Sequence, residues 1–159
     1  MATTPLPLPE VLAVAAPIVE RIVWCTVASA GTDGQPRTRL MHPVWSWSDD
    51  DVPTALVSAR PTPVKVAHLR ANPQVSCFYW DPSHDTVAID ATAEWAPADA
   101  RSEVWERIAA VPPPVGFDPS MIWPDGPDSE DCGFLALRAH RIVATPVGGP
   151  GVRWSTSRP

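Results

Sequence analysis

Short runs rich in apolar, β-branched and aromatic residues alternate with polar turns along much of this chain. "RIVWCTVASA" at 21–30 is rich in β-branched and aromatic residues, and the turn "GTDGQP" leads from it into a second strand over 36–47. The two read as a hairpin. After the polar turn "SDDDVP", "TALVSA" at 54–59 is a third strand. "QVSCFYW" and "TVAIDATAEWA" are the fourth and fifth, joined by "DPSHD", and "CGFLALRAHRIVAT" with "VRWSTS" closes the series around "PVGGPG". This predicts a mainly β chain of six or seven strands, joined mostly by short turns, with a few helices. An antiparallel meander of that size closes into a barrel to remove its edges.

Three segments carry a different pattern. Within residues 1–20, a Pro-rich lead-in is followed by Pro9 as the first residue of a short cap helix ending near Pro17 or Glu20. In "RPTPVKVAHLRANP", Thr62 suits an N-cap, Pro63 the first helical position and Asn72-Pro73 the stop, which predicts a helix over 63–71. Ala100, Val104, Ile108 and Val111 recur at helical spacing over 97–111. Residues 112–131 hold six prolines and only acidic charges, which predicts an acidic, Pro-rich loop without regular structure, ordered by Phe117, Ile122 and Trp123 as anchors. With no repeat, residues 1–159 read as a single domain.

Charge narrows the function. A net charge of -6 and a pI near 5.0 argue against a general nucleic-acid or anionic-membrane binder, since both need clustered surplus Lys and Arg. Cys25, Cys77 and Cys132 are odd in number and lack CxxC spacing, so they suggest buried thiols of a cytoplasmic protein. The N-terminus has no basic leader, and Pro17 and charges interrupt its apolar run, so neither a signal peptide nor a membrane span is expected. His42, His68, His84 and His140 are scattered without metal-ligand spacing, and no metal is expected. No Ser/His/Asp set assembles, and no catalytic residue is singled out.

The basic residues change the picture more. Eleven of the twelve are arginine, and Lys65 is the only lysine. Arg37 and Arg39, two apart on a strand, share a face. Lys65 falls third in its helix, where the macrodipole disfavours a cation by roughly some tenths of a kcal/mol. A helix start with free N–H groups, Lys65 and an arginine fork would together cradle a phosphate, with Thr62 and Ser58 adding hydroxyls. The pattern equally admits a solvated strand face, with Arg37 and Arg39 paired to Asp49–Asp51 and Lys65 at the surface.

Taken in order, "DGQPRTR", "ALVSA", "VKVAHLRANPQVS" and "AIDATAEW" resemble the pyridoxamine 5'-phosphate oxidase-like family, the FMN-binding split β-barrels. The most specific part is Lys65 followed by Asn72-Pro73, a strand and then Ala93-Glu94. The resemblance implies a six- to seven-stranded antiparallel split β-barrel, a homodimer with FMN at the subunit interface, and a flavin-dependent oxidoreductase acting on a small molecule. It implies that Arg39 and Lys65 hold the phosphate and that Ser58 lies near a hydroxyl touching it. It also implies that Met41 and His42 lie where backbone groups run along the flavin ring, and that Thr86 reaches the cofactor from the partner subunit. A deazaflavin coenzyme in place of FMN, or a non-catalytic barrel binding FMN or haem, are the alternatives. Two features depart from the family: "PTPV" precedes Lys65 where Ser-Arg or Arg-Arg is frequent, and Arg153 alone follows the last long strand, where a late arginine and histidine bind substrate phosphate.

Overall fold

The computed structural model describes residues 3–156. Nine strands and three helices follow in chain order as β1 (Thr3–Pro5), α1 (Leu8–Ile22), β2 (Cys25–Ala30), β3 (Pro36–Met41), β4 (Pro43–Ser46), β5 (Thr54–Ser58), α2 (Pro63–Ala71), β6 (Gln74–Trp80), β7 (Thr86–Trp95), α3 (Arg101–Ala109), β8 (Phe134–Thr145) and β9 (Gly151–Ser155).

The chain closes on itself because one long strand changes partner halfway. The segment predicted as a single strand over 36–47 bends at His42. Its first half, β3, pairs with β2, and its second half, β4, pairs with β5. From β2 the ladder runs antiparallel through β6, β7 and β8 and returns to β5. The circuit is therefore a mainly β barrel, as the alternation and the turn chemistry predict.

A bulge lets β8 serve two neighbours. Asp90 pairs with Arg141 and Ala91 with Ala139, so His140 is the extra residue and the strand bends there. Phe134–Arg138 pairs with β5 before the bend, and Arg141–Ala144 pairs with β9 after it.

Two features of the N-terminal segment depart from the sequence reading. Thr3–Pro5, read only as a lead-in, is a strand lying parallel to Gly151–Arg153. The helix predicted to end near Pro17 or Glu20 runs through Pro17 to Ile22. Proline there removes one backbone hydrogen bond. Val11, Leu12, Ala15, Ile18 and Val19 are buried against the barrel, and that tertiary packing outweighs the local penalty.

Strand alternation fills the interior. Val75, Cys77 and Tyr79 of β6 and Val87, Ile89, Ala91 and Ala93 of β7 point inward. Trp45 Nε1 donates to Tyr79 Oη at 2.9 Å, so each buried polar tip satisfies the other. A second, smaller core forms where α3 and residues 112–131 cover β4 and β8. Trp123, 2% exposed, is its centre, edge-on to Phe134, with Phe117 and Ile122 packed around it. The anchors expected of the acidic loop therefore pin it along the barrel wall. The loop also contains one short 3-10 turn, Pro119–Met121, where the sequence reading had none. No helix among the described residues is long and apolar enough to cross a membrane.

Candidate functional site

The site is built by β3 and α2. On β3 the alternation places Arg39 and Met41 half-buried, while Leu40 points outward and is 69% exposed. Helix α2 begins and ends where the local chemistry sets it: Thr62 is extended, Pro63 is the first helical residue and Asn72 the C-cap. Its first turn carries Lys65 inward, and that lysine is only 9% exposed. A charged side chain so placed needs a partner or a purpose.

Arg39, Met41 and Lys65 line one cavity of about 10 Å³, together with Ser29 and six aliphatic residues. Arg39 Nη1 donates to Ser29 Oγ at 3.0 Å, and Lys65 Nζ donates to the Arg60 carbonyl at 2.7 Å. No carboxylate lines this cavity. Among the described residues, the ion pairs engage Arg21, Arg60, Arg107, Arg138 and Arg141, but neither Arg39 nor Lys65. Asp51 lies near Arg138, at 4.0 Å, rather than Arg39, and Lys65 is buried, so the solvated-face alternative fails for Arg39 and Lys65 while Arg37 is exposed. Burial, and after it the charge of Arg39, pushes the Lys65 ammonium below its ordinary pKa. Arg39 and Lys65 thus face one cavity with no carboxylate between them, an arrangement whose positive potential would favour an anion.

The remaining sequence-predicted residues are placed differently. Ser58 ends β5 with its Oγ buried and unpartnered, but its neighbour Val57 lines the cavity and Ser58 does not. His42, at the strand bend, donates through Nε2 to the Val115 carbonyl at 2.8 Å. Its ring lies between Trp24 and Phe117, with centroids at 5.1 and 4.8 Å. Burial pushes its pKa below the usual histidine value, with the Val115 carbonyl working against the shift. Thr86 opens β7 opposite Trp80 and does not line the cavity. Arg37 is exposed and bonded to Gln35.

Sequence reasoning missed Ser29 and Arg60. Ser29 had a signal: on β2 it follows Cys25 and Val27 in the inward phase, and a polar residue there needs a polar partner. Arg60 had none, since what it supplies is a backbone carbonyl that holds Lys65 Nζ. Among the described residues, no three His, Cys, Asp or Glu side chains come together in a metal-binding group.

Comparison with known proteins agrees with this architecture. The family described as pyridoxamine 5'-phosphate oxidase matches residues 13–145. No curated protein matches the chain. Among solved structures, a Clostridium acetobutylicum protein related to general stress protein 26 of B. subtilis superposes with a TM-score of 0.72. It is 15% identical, covering 92% of this chain and 94% of that one. A heme binding protein from Mycobacterium smegmatis gives 0.64 at 17% identity, covering 97% of this chain and 60% of that one. A pyridoxamine 5'-phosphate oxidase-related, FMN binding protein from Nostoc punctiforme gives 0.58 at 13% identity, covering 91% and 85%. At such identities the likeness is one of fold.

Proposed function

The chain belongs to the pyridoxamine 5'-phosphate oxidase family, and from that premise we propose that it is an FMN-binding oxidoreductase, working as a homodimer on a small molecule. The observation that carries this reading is the cavity shared by Arg39 and Lys65, cationic and free of carboxylates. The donor set suits a phosphate: a guanidinium fork and an ammonium with donors to spare. Bound FMN would supply hydride or electron transfer. Arg39 and Lys65 would neutralise its phosphate, Met41 would wall the site, and the barrel would exclude water behind it.

The homodimer follows from size and surface. A cavity of about 10 Å³ has room for no more than one water, so in one chain Arg39 and Lys65 would meet a phosphate only at its mouth, and the bulk of a flavin needs cover from another surface. Leu40, Thr26, Phe78 and Ala88 lie side by side on the outer face of β3, β2, β6 and β7. Leu40 and Phe78 are 69% and 48% exposed, and Trp24 and Trp80 extend the patch. An apolar sheet face of this kind marks an interaction site. Arg39 and Met41 project from the opposite side of β3, which ends the strand order β1-β9-β8-β7-β6-β2-β3, and a second copy reaching round that edge would cover the cofactor.

A second reading is a haem-binding barrel, favoured by the likeness to the M. smegmatis protein over 97% of this chain. A deazaflavin coenzyme is the alternative within the flavin reading. Release of the bound ligand from purified protein, followed by absorbance and mass measurement, decides among the three. A flavin spectrum and the mass of FMN are expected. Protein that carries no ligand and binds no added FMN would sink the reading.

A further inference from the structure

The connection from β5 to α2, residues 59–62, is held from several sides. Ala59 donates its N–H to the Gly133 carbonyl at 2.9 Å. Gly133 leaves no room for a side chain, since a Cβ there would lie 2.8 Å from the Ala59 carbonyl oxygen and 3.1 Å from Pro61 Cδ. The side chain of Arg60 reaches out to residues 112–131, where its guanidinium pairs with Asp131 and donates through Nη2 to the Ile122 carbonyl at 3.2 Å. Its own carbonyl accepts twice, from the Thr62 N–H at 2.9 Å and from Lys65 Nζ at 2.7 Å.

An ammonium has three donors, and the first of Lys65's goes to Arg60. That bond fixes the nitrogen at the end of a flexible four-carbon stem and leaves its other donors for a ligand. The carbonyl of Arg60 is thus the post on which the chain's only lysine is set, and residues 112–131 brace the post.

We propose that Arg60, held by Asp131, is a positioning residue of the anion site: its anchored guanidinium aims the Arg60 carbonyl, which places Lys65 Nζ against the phosphate end of the cofactor. The inference rests on the reading of the Arg39–Lys65 cavity as the phosphate site. The acidic loop supplies none of the residues lining that cavity, yet it sets the affinity there through one side chain.

The test titrates purified protein with FMN and with riboflavin, which lacks the phosphate, reading flavin fluorescence. The variants are Arg60→Gln, Asp131→Asn, Lys65→Ala and the Arg60→Gln/Lys65→Ala pair, with melting curves to establish folding. Arg60→Gln and Asp131→Asn each raise the Kd for FMN roughly tenfold, the scale of losing an outer-shell partner, and leave riboflavin binding unchanged. Arg60→Gln has no further effect once Lys65 is alanine. Unchanged FMN affinity in Arg60→Gln and Asp131→Asn, with a loss in Lys65→Ala, overturns the proposal and leaves the phosphate site standing. Equal losses for riboflavin, or an undiminished Arg60 effect without Lys65, overturn it as well. Wild-type affinity in Lys65→Ala, or wild-type protein that binds neither flavin, removes the site reading and the proposal together.

Discussion

Arg39 of β3 and Lys65 of α2 line the same cavity, and the charge of Arg39 is one of the two causes that lower the Lys65 pKa. Like charges brought together inside a fold cost stability unless something of opposite sign joins them. Arg39 and Lys65 stay within reach of each other because Ser29 Oγ holds one and the Arg60 carbonyl the other.

Removing either cation weakens the grip on phosphate. Lys65→Ala and Arg39→Ala are each expected to reduce FMN affinity by about 1.5–3 kcal/mol, the worth of a hydrogen bond to a charged group. Riboflavin affinity is expected to change much less. Fluorescence titration of both flavins checks this, and wild-type FMN affinity in both variants refutes it.

Proton uptake should accompany binding at alkaline pH. The folded protein holds Lys65 below its ordinary value of 10.5, by burial first and Arg39 second. The charged form is therefore disfavoured in the native state, and its cost is relieved as pH rises through the lowered pKa toward the unfolded value. A dianion in the cavity favours the ammonium again. Calorimetry in buffers of different ionisation enthalpy should show protons taken up with FMN on the alkaline side. No uptake at any pH up to about 10 would count against the cavity.

The end of α1 is stapled to the β6–β7 turn by Arg21, whose Nη2 lies 2.7 Å from both Asp81 Oδ2 and Asp85 Oδ2. The Asp81 carboxyl is held below its ordinary value by the Ser83 hydroxyl and by Arg21, and that of Asp85 by the Val147 N–H and by Arg21. Their contribution to stability is present above the unfolded value of 3.8 and is lost as pH falls through the lowered folded values. Arg21→Ala should lower Tm at neutral pH, and its difference from wild type should shrink below about pH 4. A difference in Tm that is constant with pH contradicts the staple.

Gly133→Ala tests the close approach of β8 to the β5–α2 connection. The added methyl lies 2.8 Å from the Ala59 carbonyl oxygen, so that connection must shift. A loss of about 1–3 kcal/mol in denaturant unfolding is expected, as for overpacking elsewhere. FMN binding should weaken more than riboflavin binding. Wild-type stability and affinity would show that residues 59–62 are free to yield.

The outer sheet face is tested by charge. Phe78→Arg places a cation in the middle of the row formed with Leu40 and Thr26. Sedimentation is expected to show the variant as a monomer where the wild type is a dimer, with Lys65 and Arg39 intact but FMN held more weakly. A variant that stays dimeric places the interface elsewhere.

Local chemistry was enough for much of this protein. The limits of α2 follow from Pro63 and Asn72-Pro73, although the Thr62 side chain makes no capping bond, and the strands from their composition and turns, because prolines and short apolar patterns act over a few neighbouring residues. The resemblance brought Arg39, Met41 and Lys65 forward, and the fold sets all three along one cavity. What the tertiary structure decided depends on who lies next to whom. Packing carried α1 past Pro17, β9 gave Thr3–Pro5 a partner, and the bend at His42 divided one strand between two neighbours. The phase of β5 turned Val57 rather than Ser58 to the cavity, and a carbonyl, which no side-chain pattern reveals, became the support of Lys65. A sequence records each residue's preferences, whereas distances between strands far apart in the chain are fixed only when the whole core closes.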